Sequence, residues 1–269
     1  MNNKIIAIVN QKGGVGKSTT CVNLAAFLGM KDKKVLCVDI DAQGNTTSGF
    51  GVKKKNISNT SYEVLIGKIN IKEAIRNTPW KNVDILPSTS AMAGAEMDLA
   101  KIENRLNRLK MQLEHVKNDY DFILIDCPPS LSLVTLNALI ATDTILIPML
   151  CEFYSLEGLS QLIDTVKLIR SKYNHNLDIE GILFTMFDPR LNVTLQVVNE
   201  VEEHFKGKVF KTRIPRNIRL SEAPSYGKPC LYYDRYSKGS LAYESLGLEI
   251  LGDKSIIKDL VLNAVGVKS

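Results

Sequence analysis

No apolar run in the sequence approaches the roughly 20 residues that a membrane-spanning helix needs. That removes the helical membrane proteins. The five cysteines, Cys21, Cys37, Cys127, Cys151 and Cys230, include no C-x-x-C pair and leave an odd number. Paired-thiolate zinc and iron–sulfur sites therefore lack their signature, and the cysteines read as small buried thiols inside apolar segments. Aromatic residues are sparse, and no Pro/Ser-rich linker, low-complexity tract or internal repeat divides the chain. A single domain over 1–269 is expected, with C-terminal helices at about 237–265 packed on it. The start, "MNNKIIAIVNQ", lacks the layout of a signal peptide, which leads us to expect a cytoplasmic protein.

Positive charge is plentiful but uneven. The net charge is +5, yet nine basic residues face only Glu222 and Asp234 between His204 and Ser240, so the rest of the chain is net acidic. A local excess of this kind suggests an anionic partner.

Short apolar runs alternate with helix-length segments. Strands are expected at 4–9, 34–41, 83–88, 121–126, 144–150, 179–187 and 208–215, and a helix over Lys17–Met30. Their near-continuous Val/Ile/Leu content suits strands covered on both faces. In "SLEGLSQLIDTVKLIRSKY", Leu156, Leu159, Leu162, Ile163, Val166 and Ile169 fall on one helical face. The pattern is that of an α/β fold, a doubly wound, mostly parallel twisted sheet with helices on both faces. The lysine-rich stretch 51–60 reads as a solvated connection.

Behind the first strand comes "NQKGGVGKSTT". Gly13, Gly14 and Gly16 can turn backbone N–H groups inward as an anion nest, and the helix that follows adds its positive end. Lys17 suits the β- and γ-phosphates of a nucleoside triphosphate, and Ser18 suits Mg²⁺. Val15 and Thr19 complete the nucleotide-binding set. The loop departs from the standard phosphate-loop pattern, which wants glycine where Gln11 stands, and it carries an extra lysine, Lys12. "FILIDCPPS" ends a strand in Asp126, placed for a metal-linked carboxylate. In "VDIDAQGNTT", Asp39 and Asp41 flank one residue and are expected to face one side. We assign Asp41 to the attacking water and Asp39 to the water shell of the metal. Gln43 and Gly44 suggest a switch-like loop.

"KGGVGKSTT", "VDIDAQGNTT" and "FILIDCPPSL" resemble the deviant Walker-A ATPases. "CEFYSLEGL" and "IPRNIRLSEAPSYGKP" narrow the resemblance to the ParA/Soj-type chromosome- and plasmid-partitioning ATPases. It runs from about Lys4 to Gly252. The resemblance implies an ATP hydrolase with Mg²⁺ that forms an ATP-dependent homodimer. In it Lys12 reaches the nucleotide of the second subunit, which accounts for the extra lysine. It further implies adenine contacts from Pro215 and Asn217, and a place beside the dimer interface for Glu152. Non-specific double-stranded DNA is the implied ligand of the dimer, through positions matching Arg190 and Arg219. Lys211, Arg213 and Arg216 are candidate additions from the basic cluster, since phosphate neutralisation needs no base reading. A ParB-type centromere-binding partner would stimulate slow intrinsic hydrolysis, and the protein would be nucleoid-associated, with no membrane role. The sequence has no extension before its first strand that would carry a helix-turn-helix, so operator-specific repression is not expected.

Other readings share the fold. A MinD-like membrane-cycling ATPase would use an amphipathic C-terminal helix, and Ile256, Ile257, Leu260, Val261 and Ala264 do fall together. An iron–sulfur carrier would need paired cysteines at a dimer face. A metabolic ATP-dependent ligase or kinase would need a second substrate pocket.

Overall fold

Parallel strands with hydrophobic residues on both sides need cover on both faces, and the chain supplies it. The computed structural model describes residues 3–55 and 57–253. Its seven strands are β1 (Lys4–Ile8), β2 (Val35–Asp39), β3 (Arg76–Asn77), β4 (Val83–Leu86), β5 (Phe122–Asp126), β6 (Thr144–Leu150) and β7 (Asp178–Thr185). They lie in the order β3-β4-β2-β5-β1-β6-β7. Every pairing is parallel except the short β3, which closes the edge antiparallel to β4.

Alternation along each strand divides the core. Ile5, Ala7, Leu36, Val38, Ile123 and Ile125 face one layer, with helices Leu133–Ala141 and Tyr154–Lys172 upon it. Ile6, Ile8, Val35, Cys37, Phe122 and Leu124 face the other, under helix α1 (Lys17–Met30) and helix Lys238–Leu251. Along Tyr154–Lys172 the expected stripe is the inner one: Leu159, Leu162, Val166 and Ile169 are buried, with Leu156 and Ile163 packed beside them. All five cysteines are buried and free.

The expected strand at 208–215 is not one. The segment follows β7 only through isolated bridges at Val209 and Pro215. Between them the N–H groups of Lys211 and Thr212 donate to the carboxylate of Glu249, 2.9 and 2.6 Å away. A side chain from the last helix thus takes the donors that a ladder would have used. The edge strand β3 was not expected from its polar sequence. Among the described residues the last helix runs from Lys238 to Leu251, and the amphipathic stretch 256–264 lies outside the described residues. Among the described residues no helix is long and apolar enough to cross a membrane.

Helix α1 is held close to the sheet at its C-terminal end. A Cβ built on Gly29 would lie 2.2 Å from the carbonyl oxygen of Lys81 and 2.9 Å from a Val83 methyl. Backbone cannot rotate out of the way as a side chain can. Gly29→Ala is expected to lower unfolding stability by about 3 kcal/mol, read from the denaturant midpoint. An unchanged midpoint would show that the chain leading into β4 can slide.

Candidate active site

The site gathers where parallel strands end. In the pairing register Asp126 lies beside Ile8 on one side and Asp39 on the other. The carboxyl ends of β1, β2 and β5 therefore place two carboxylates next to the loop that leaves β1. That loop enters α1 through Gly16, whose φ of 89° is open to glycine at little cost, and the Gly16 carbonyl accepts the first helical bond from Thr20 at 2.8 Å. No acidic residue occupies the first turn of α1, so the helix end keeps its positive character toward a ligand.

A cavity of about 450 Å³ opens in front of this loop, lined by Gly13, Gly14, Gly16, Lys17, Ser18, Thr19, Asp41 and Gln43, among others. A second, of about 290 Å³, shares Gly16, Thr19, Leu220 and Pro224 with it and is lined by Pro215, Arg216, Asn217 and Tyr243. The cavity in front of the loop therefore adjoins a second pocket, which is lined by both residues expected at the adenine. Asn217 uses its Oδ1 to cap the helix Ile218–Glu222, accepting the Arg219 N–H at 3.0 Å, so the NH₂ end of its amide is the end it can offer a base. Tyr243 fixes the pocket to α1 by a buried hydrogen bond with Thr20, 3.0 Å long.

Lys17 is buried, and its Nζ donates to the Lys12 carbonyl at 3.1 Å. Burial lowers its pKa, while Asp126, Cys127 and Asp41 act the other way. Asp126 is fully buried, and its pKa is pushed up to about 8, first by loss of solvent and then by the charge of Asp39. Asp39 is raised to about 6, again mainly by burial, although hydrogen bonds from Thr47 and Asp41 oppose the shift. Two carboxylates side by side in a dry place would be stabilised by a nearby cation. Asp126 Oδ1 is buried without a hydrogen-bond partner, and the Ser18 hydroxyl stands near enough to that carboxylate to favour its charged form. These groups fit Mg²⁺ bound chiefly by phosphate and water. Among the described residues no three His, Cys, Asp or Glu side chains converge as a ready-made metal cage.

The two acidic residues of "DID" part company. Asp41 lines the phosphate cavity, its Oδ1 accepting the Gln43 N–H at 2.9 Å. Asp39 lies behind it, wholly buried, accepting from the Thr47 N–H at 2.8 Å, the Thr47 hydroxyl at 2.7 Å and the Asp41 N–H at 3.2 Å. The loop beyond Asp41 is also tied down by Lys54, whose Nζ donates to the Gln43 carbonyl at 2.6 Å. One lysine of the supposed solvated connection thus reaches the site. Thr46, Thr47 and Lys54 were missed in the sequence; the "NTT" after the switch-like glycine was the available signal for the threonines.

Lys12 does not line its own cavity. Its ammonium turns outward and pairs with the Glu152 carboxylate, with both side chains substantially exposed. Phe153 and Tyr154 stand beside that pair, 72% and 79% exposed. The basic candidates separate. Arg190 is exposed and paired with Asp188. Arg219 is held between Glu222 and Asp234 at 2.8 and 3.2 Å. Lys211 and Arg216 are exposed, but Arg216 also lines the second pocket, beside Pro215 and Asn217. Arg213 is turned inward: its side chain is 13% exposed, paired with Glu202, and its guanidinium stacks 4.9 Å over the Phe184 ring. That is the setting of a residue that holds the fold, not one that meets DNA.

Residues 3–179 match a family model described as an AAA domain. The chain is 52% identical over 247 residues to the sporulation initiation inhibitor protein Soj of Bacillus subtilis, covering 92% of this chain and 98% of that protein. It is 50% identical over 248 residues to the chromosome partitioning protein ParA of Myxococcus xanthus, covering 92% and 88%. The chain belongs to the Soj/ParA family of partitioning ATPases. A solved cobyrinic acid a,c-diamide synthase from Mycobacterium smegmatis, with an ATP analogue and magnesium bound, has the same fold with a TM-score of 0.81. It is 31% identical, over 93% of this chain and 94% of that one. The Soj and ParA relatives match at markedly higher identity over a similar span, so the partitioning branch is favoured over a metabolic ligase for this ParA-family chain.

Proposed function

We propose that the protein is a DNA-partitioning ATPase whose ATP-bound homodimer grips DNA without sequence preference and is released by hydrolysis. The observation that carries this reading is the division between the two loop lysines. Lys17 points to the chain's own phosphate cavity, and Lys12 points away from it, to the rim. A cation directed outward from a nucleotide loop suits a triphosphate held by a facing subunit, where it acts on transition-state charge.

Each subunit binds ATP through the N–H groups of Gly13, Gly14, Val15 and Gly16 together with Lys17 and Thr19, with the adenine against Pro215 and Asn217. Mg²⁺, held by Ser18 and through water by Asp126 with Asp39 behind it, would neutralise charge between the β- and γ-phosphates. Asp41 orients the attacking water and accepts its proton. Lys12 stabilises the partner's γ-phosphate as the bond breaks, and Glu152 lies on the same contact face. Loss of that phosphate removes the group that Lys12 holds, so the pair weakens. The bound DNA lies along Arg190, Arg219, Lys211 and Arg216, whose charges neutralise backbone phosphates. A ParB-type centromere-binding protein speeds hydrolysis, and the protein cycles on the nucleoid in the cytoplasm.

DNA retention on duplexes of unrelated sequence, in a non-hydrolysable ATP analogue against ADP, tests the scheme. Retention should require the triphosphate. Equal retention in both, or none in either, would remove the DNA cycle, and flotation with liposomes in ATP would point instead to membrane cycling. Arg219→Ala should weaken retention without changing dimer formation, and should reduce the salt slope by about two per dimer, about one for each subunit's arginine. Unaltered binding would place the DNA face elsewhere.

A further inference from the structure

The two oxygens of Asp126 stand in different situations. Oδ2 accepts the hydroxyl of Thr46 at 2.7 Å, and Oδ1 is buried without a partner. Thr46 is itself completely buried, so its hydroxyl has been taken from water and spent on this one bond. It belongs to α2 (Asn45–Gly49), the short helix that directly follows the turn after Asp41. The turn is closed by the Gly44 N–H on the Asp41 carbonyl at 2.9 Å. The next residue, Thr47, makes the matching bonds to Asp39 and also accepts the Ser88 N–H at 2.9 Å.

Two consecutive threonines of one short helix therefore hold the two carboxylates that β2 and β5 bring into register. A carboxylate at a strand end can rotate about its last bond. Fixing one oxygen fixes the direction of the other. Metal ligands are oriented in this way by outer hydrogen bonds, and loss of such a bond costs affinity out of proportion to its own strength.

We propose that Thr46 is a positioning residue for the metal-facing carboxylate. It aims Asp126 Oδ1 toward the cation that accompanies the nucleotide, and it couples that carboxylate to the loop bearing Asp41. The proposal rests on the reading of the cavity as a magnesium–nucleotide site. It adds that the switch-like loop is anchored to the metal side of the site through a hydroxyl.

The test uses the full chain with a fluorescent ADP analogue, which avoids both hydrolysis and triphosphate-dependent pairing. Dissociation of the analogue is followed across a titration of free Mg²⁺ and in excess chelator. For Thr46→Val, which keeps the shape and removes the donor, half-saturating Mg²⁺ should rise about tenfold or more. Release in chelator should stay as in the unaltered protein, and Thr46→Ser should restore the Mg²⁺ midpoint. An unchanged midpoint in Thr46→Val overturns the proposal. So does faster release in chelator by the same factor, because that marks general damage to the pocket. Should Thr46→Val fail to fold, Thr46→Cys, with a weaker donor of similar size, is read on the same axis. If the unaltered protein's ADP release ignores Mg²⁺, the magnesium–nucleotide reading itself falls; if it responds and the variants track it, only the role of Thr46 falls.

Discussion

Asp41→Ala should cut ATP turnover by about 100-fold or more while leaving ATP bound. Asp41 stands in the cavity wall, with its Oδ1 fixed by the Gln43 N–H and its own N–H fixed by Asp39. A residue held at its backbone and at one carboxylate oxygen is placed to orient a water without having to find its position in the transition state. Lys17, Ser18 and the loop N–H groups are untouched by the change, so the binding contacts persist. Phosphate release in a single turnover measures the chemistry, and retention of radiolabelled ATP on a filter measures the binding. The variant should also accumulate paired subunits, because the triphosphate that holds them is no longer consumed. Turnover within a few-fold of the unaltered protein would assign the water to another group. Loss of ATP binding would show that Asp41 serves the pocket and not the reaction.

Lys12→Ala should bind ATP as a monomer and fail to pair, and partner-dependent turnover should fall by about 1,000-fold if Lys12 acts as a cation delivered in trans. The side chain is 40% exposed, and its one ion pair, with Glu152, lies at the surface, where such pairs contribute little to folding. The variant should therefore melt normally. Lys17 keeps its place in the cavity, since the group it contacts at position 12 is the backbone carbonyl, which alanine retains. Sedimentation with a non-hydrolysable analogue and magnesium reads the pairing directly. Dimers of normal affinity would refute the cross-subunit role, and loss of nucleotide binding would return Lys12 to its own subunit's phosphates.

Glycines behind an apolar strand, a lysine and serine opening a helix, and a strand ending in aspartate are local arrangements. Local spacing is what a sequence states openly. The phosphate loop, β5 with Asp126 at its end and the inner stripe of Tyr154–Lys172 were legible for that reason: periodic burial and backbone turns are set by near neighbours in the chain. The sheet class followed from the same runs. The segment 208–215 misled because it has the composition of a strand, and the group that takes its donors, Glu249, arrives from the last helix.

What tertiary structure decided was partnership across distance. Arg213 and Arg216 look alike in the sequence; only packing sends one under Glu202 and over Phe184 and leaves the other lining the pocket beside Asn217. Asp39 and Asp41 look alike too, until Thr47 draws the first inward and the turn to Gln43 sets the second in the cavity wall. The pairing of Lys12 with Glu152 joins residues far apart in the chain, as does that of Thr46 with Asp126. A charge or hydroxyl carries no record in the sequence of which neighbour will satisfy it. That choice is made when the strands take their order, and burial then makes each unmade bond costly.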